Sequence, residues 1–137
     1  MKPMIKTLLL IMSLGSSAVI AAETPASKVY IISPLDGAEV SSPVTIHFGL
    51  SGMGVAPAGV DRPNTGHHHL LIDVDGLPDL TVPVPANAKH RHFGGGQTEV
   101  ALDLETGEHS LQLLMGDKYH IPHNPAVLSE KIMIRVK

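Results

Sequence analysis

Nine histidines in a chain of 137 residues carry most of the chemistry this sequence could perform, and their spacing matters more than their number. His67 and His69 stand two apart in Gly66-His67-His68-His69-Leu70. On a strand, that spacing projects both imidazoles from one face, about 7 Å apart along the backbone. His90 and His92 repeat it in Lys89-His90-Arg91-His92-Phe93, just before Gly94-Gly95-Gly96, and His120 and His123 form a third pair in Tyr119-His120-Ile121-Pro122-His123. Neutral imidazoles that converge can hold Zn(II), Cu(II) or Ni(II), so these six residues are the candidate metal ligands, with copper or zinc as the expected ion. Met53 and Met115 are thioethers that could serve Cu(I), although Met115 also continues the apolar phase of Leu111 and Leu113. The competing expectation is a polar network in which the imidazoles hydrogen-bond to one another and pin long loops. Protons compete with metals for the same nitrogens, so binding is expected to fade as pH falls through the imidazole range near 6.5.

The other histidines read differently. His68 shares the phase of Leu70 and Ile72 and is expected in the core as a hydrogen-bonded structural residue, with His67, His69 and Asp73 on the opposite face. His109 follows a turn and is expected in a satisfied strand position, and His47, alone on the polar face of its strand, is expected to be solvated.

Enzymatic readings find no support. The chain has no cysteine nucleophile, no G-x-S-x-G elbow, no H-E-x-x-H helix and no phosphate-binding P-loop. The absence of cysteine also removes thiolate metal sites and disulfides. Gly94-Gly95-Gly96 is read as a turn.

The elements that must position the histidines are strands. Lys28 to Ser33 reads as the first, followed by the turn signal Pro34-Leu35-Asp36-Gly37. Val44, Ile46, Phe48 and Leu50 alternate with polar or small residues, and His67 to Val74 reads as a third strand with Leu70, Ile72 and Val74 as its apolar phase. Leu80 to Val84 is a weak candidate, demoted to an edge by Pro83 and Pro85. Thr98 to Leu104 and Ser110 to Met115 each alternate and are read as a hairpin joined at Glu105-Thr106-Gly107-Glu108, and Ile132, Ile134 and Val136 mark a last strand. Gly52 to Gly66 and Gly116 to Leu128 are long loops without periodicity, of the kind that often carry function. About seven short strands predict an all-β domain, an immunoglobulin-like Greek-key β-sandwich, with a small barrel as the competitor.

The N-terminus reads as an export signal. Lys2 and Lys6 precede an apolar run from Leu8 to Ile20, and Ala21-Ala22 supplies the small residues of a cleavage site. The run is too short to span a bilayer comfortably. The expected organisation is a signal peptide at 1–22, a tether at 23–27 and one domain at 28–137, with a periplasmic or secreted location. Without the leader the balance is 8 basic to 13 acidic residues. That acidity, with only two Tyr and two Phe for base stacking, argues against nucleic acid. Beyond a metal ion, a protein or glycan partner is open, and no membrane association is expected after cleavage.

Gly66-His67-His68-His69-Leu70-Leu71-Ile72-Asp73, His92-Phe93-Gly94-Gly95-Gly96-Gln97-Thr98-Glu99 and Gly107-Glu108-His109-Ser110-Leu111-Gln112-Leu113 together resemble the bacterial exported family described as domain of unknown function 4399. The likeness runs from about Ser33 to Val136. It implies an exported, β-rich domain, and it puts His67 to His69, His92, His109 and His120 within the family's signature segments. Met115-Gly116-Asp117 departs from the aromatic and small residues that usually precede the aspartate of the last loop.

Overall fold

The computed structural model describes residues 26–137. The expected leader and residues 23–25 of the tether lie outside them. Nine strands and no helix occur among the described residues: β1 (Lys28–Ser33), β2 (Glu39–Val40), β3 (Val44–Ser51), β4 (Gly54–Val55), β5 (Thr65–Ile72), β6 (His90–His92), β7 (Glu99–Leu102), β8 (Gly107–Gly116) and β9 (Ile132–Val136). They form a sandwich. One sheet has the order β1-β3-β7, and the other runs β2-β9-β8-β5-β4 with β6 also paired to β5.

Alternation along the strands builds the core between these sheets. Val44, Ile46 and Phe48 of β3 face Leu70 and Ile72 of β5, Leu111, Leu113 and Met115 of β8, and Ile134 and Val136 of β9, all of them buried. Each fully buried aliphatic side chain contributes roughly 1.5–3 kcal/mol through removal of apolar surface from water. Met53 and Met115 both belong to this packing, Met53 at its margin.

Two expectations are corrected. Thr98 to Leu104 and Ser110 to Met115 do not form a hairpin: β7 pairs with β3, whereas β8 pairs with β5 and β9 in the other sheet. Both strands point apolar residues inward from opposite sides of one core, so the same alternation arises without pairing. Leu80 to Val84 forms no strand, and only Val84 of that segment is buried.

The connection from β7 to β8 is secured by histidine. His109 Nδ1 lies 2.8 Å from Asp73 Oδ2 and its Nε2 lies 2.8 Å from the Glu105 carbonyl. Both neighbours are acceptors, so a ring donating to both is the charged imidazolium. Burial disfavours that form, but the hydrogen bond to Asp73, the Glu105 carbonyl and the negative charges nearby outweigh it and raise the pKa. Asp73 also accepts from Ser110 N–H and takes a left-handed backbone (φ 52°), a conformation that Asp and Asn tolerate best among residues with a Cβ. Asp73→Asn keeps the backbone conformation and removes the charge. The His109 pKa, followed by NMR titration, is then expected to fall toward 6.5. Because the folded pKa is raised, the native stabilisation is full below 6.5 and is lost as pH rises through the folded value.

Candidate metal centre

β5 is buried on both faces, although its sequence suggests one apolar and one polar side. His67, His68 and His69 are each 0% exposed. One face meets the sandwich core. On the other, Leu71 of β5 and Leu114 of β8 are buried with His67 and His69, yet they stand apart from the core cluster. Loops close this second face. Backbone hydrogen bonds tie Ala58 to Gly94, Gly59 to Lys118 and Val84 to His120, linking four loop segments.

The last of these bonds brings His120 over the strand. Asp117 organises the turn by accepting from Tyr119 N–H (2.8 Å) and Ile121 N–H (3.0 Å) through Oδ1, while its own N–H donates to the Ile121 carbonyl. His120 sits in this turn with a left-handed backbone (φ 66°). That conformation costs an L-residue about 1–2 kcal/mol and persists because the surrounding bonds fix it.

The result is a cluster. One ring nitrogen from each of His67, His69 and His120 lies within 4.8 Å of the others, an arrangement positioned to hold a metal ion. His67 Nε2 and His120 Nδ1 are 3.0 Å apart, sharing one proton between a donor and an acceptor. Two ligands of a tetrahedral ion stand about 3.3 Å apart when each nitrogen is about 2.0–2.1 Å from the metal, so little movement would admit one. His67 Nδ1 and both nitrogens of His69 are buried without any hydrogen-bond partner. Burial pushes the His67 pKa down to about 4, with help from the neighbouring His120 and His92, and the His69 pKa down to about 3, with help from His67, His120 and His92. Both rings are therefore neutral at physiological pH, the protonation state a metal requires.

Gly116 makes room for the cluster. It stands opposite His67 in the β5–β8 ladder, and a Cβ there would fall 2.5 Å from His69 Cε1 and 3.0 Å from its Nδ1. Gly116→Ala is expected to displace the His69 ring, costing about 1–3 kcal/mol and weakening metal affinity. Chemical denaturation and metal titration of the variant test both effects.

The remaining candidates separate. His92 is directly opposite His69 on β6 and its ring centroid is 5.1 Å from that of His120. His90 lies opposite Leu71, further along, with its Nδ1 3.0 Å from Asn87 Oδ1. His123 points elsewhere and donates through Nε2 to the Thr65 carbonyl, leaving Nδ1 buried and unpartnered. His68 is in the core, as its phase implies, with its ring centroid 5.1 Å from that of Phe48. Neither ring nitrogen has a hydrogen-bond partner of good geometry; burial pushes its pKa down to about 4, and the Gln97 backbone offsets that only in part. His47 is not simply solvated, because Ser33 Oγ lies 2.8 Å from Nδ1 and Glu99 Oε2 lies 3.0 Å from Nε2. Asp117 and Gly116 shape the site without being ligands, and neither stands at a ligand spacing in the sequence. The visible signal was an aspartate three residues before a loop histidine, a pattern that favours a side-chain-stabilised turn.

The family model for Domain of unknown function (DUF4399) matches residues 46–137, which include the whole histidine cluster. The chain belongs to this family. No curated protein and no solved structure matches it. In this DUF4399 domain the matched segment begins within β3 and runs to the C-terminal Lys137, so it omits only β1, β2 and the start of β3 among the strands.

Proposed function

We propose that this domain is an exported metal-binding protein that takes up a zinc or copper ion through His67, His69 and His120. The observation that carries the reading is a set of convergent imidazoles in which His67 and His69 are completely buried, yet three of their four nitrogens have no hydrogen bond. An unsatisfied buried polar group typically costs 1–3 kcal/mol, and a bound ion would convert that cost into coordination. The donor set supports borderline metals: three neutral nitrogens without a thiolate favour Zn(II) or Cu(II) over Ca(II) or Mg(II). The leader-like sequence at 1–22 supports export to the periplasm or beyond, and no catalytic motif accompanies the site.

A non-catalytic envelope module with structural histidines is the alternative. Its support within the cluster is the His67–His120 hydrogen bond. Equilibrium dialysis against Zn(II) and Cu(II), followed by metal analysis, separates the two. About one ion per chain is expected for the native protein and none for His67→Ala/His69→Ala. Equal, negligible metal in both would end the metal reading. Two of the three ligands already sit neutral well below pH 6.5. Protons should therefore not compete for His67 and His69 until the pH nears their pKa values of about 4 and about 3, where affinity should fall steeply. This replaces the fading near 6.5 expected from unperturbed imidazoles.

A further inference from the structure

The three clustered imidazoles leave one side of the site open, and the residue standing there is exposed. His92 extends from β6 directly across from His69, and cross-strand partners share a face, so both side chains lie on the loop-covered side of the sheet. Its ring centroid is 5.1 Å from that of His120, 6.2 Å from His69 and 6.4 Å from His67. The other three centroid separations are 4.6, 4.8 and 5.9 Å. Four imidazoles bound tetrahedrally at a metal–nitrogen distance of about 2.0–2.1 Å place their ring centroids about 5.2 Å apart. The six observed separations, from 4.6 to 6.4 Å, bracket that value, and the two largest belong to His92.

The four rings thus surround a common point, with three drawn in and the fourth slightly back. His92 is not among the residues whose nitrogens lie within 4.8 Å of one another. Its approach is unobstructed by side chain at Gly94, where a Cβ would sit 3.2 Å from His92 Cδ2 and 3.4 Å from its Nε2. His67 and His69 are held in the sheet and His120 by its turn, so a small rotation of the exposed ring is the simplest motion that completes the shell.

We propose that His92 is the fourth, solvent-side ligand of a closed four-imidazole site, swinging onto the ion after it enters and off before it leaves. The proposal rests on the three-histidine reading above and extends it. With no position left for water, the bound ion would not be a hydrolytic centre, since catalytic zinc keeps one coordination position open, and the exposure of His92 is what would make it exchangeable. Departure starts at His92 because the other ligands are buried or fixed by their turn.

The test combines X-ray absorption of the Zn(II)-loaded protein with stopped-flow transfer of zinc to EDTA, using the native chain, His92→Ala and, as a histidine control, His47→Ala. Four nitrogen ligands are expected for the native protein and His47→Ala. Three nitrogens plus a water oxygen are expected for His92→Ala, with release at least roughly tenfold faster. Because His92 is exposed, its loss should leave unfolding unchanged in the metal-free state. Zinc bound by the native protein with the same shell and release rate in His92→Ala would overturn the proposal and leave the three-histidine site standing. A native protein that takes up no zinc would overturn both.

Discussion

His69→Leu is expected to make the metal-free protein more stable, by about 1–2 kcal/mol at pH 7.5, while abolishing stabilisation by zinc. His69 is 0% exposed and neither ring nitrogen has a hydrogen-bond partner, so the native imidazole is buried without compensation. Leucine has similar bulk and nothing to satisfy. Replacing a buried polar group with an apolar one of comparable shape removes the desolvation penalty. The native protein should instead recover stability from the ion: free zinc at a thousandfold excess over Kd adds about 4 kcal/mol. Urea denaturation with and without zinc measures both terms. If His69→Leu is destabilised by more than about 1 kcal/mol without metal, the ring is held by hydrogen bonds after all, and the structural-network reading gains.

Acidification is expected to unfold the metal-free domain over an unusually mild range. Burial holds the pKa values of His67 and His68 at about 4 and that of His69 at about 3, against 6.5 when unfolded. For a depressed base, the unfolded state binds more protons below 6.5. Stability is therefore complete above that value and falls as pH drops toward the folded pKa. At pH 5 each of the three loses about 2 kcal/mol, at most about 6 kcal/mol together, against a typical total of 5–15 kcal/mol. His109 works in the opposite direction but is already charged in this range, so it offers no rescue. Denaturation midpoints measured from pH 7.5 to 4.5 should fall steeply below 6.5, and saturating zinc should blunt the fall. A flat profile between pH 7 and 5 would contradict the burial of neutral imidazoles.

Much of the sandwich was legible because its core is written in period two. Val44-Ile46-Phe48 and Leu111-Leu113-Met115 each announce a strand and the face it buries. The same periodicity is silent about partners, which is why the β7 and β8 patterns suggested a hairpin although the strands lie in different sheets. It is also silent about what covers a polar face. His67 and His69 were recognisable as a pair, but their complete burial depends on segments such as 56–60, 82–84 and 117–121 that carry no repeat. The H-x-H spacing had equal weight at 67/69 and 90/92, yet register decided between members of the second pair. His92 meets His69, whereas His90 meets Leu71 and is taken up by Asn87.

β5 has neighbours along both edges and cover on both faces. Its amides at His67 to His69 should therefore exchange with solvent only through the largest opening the molecule undergoes, whereas the turn carrying His120 needs only a local one. The strand's half of the candidate site, His67 and His69, consequently persists for as long as the fold itself, whatever the exposed groups around it do. An emptied protein would keep these buried imidazoles in register for the next ion, so reloading would require seating the exposed His92 ring rather than refolding a domain.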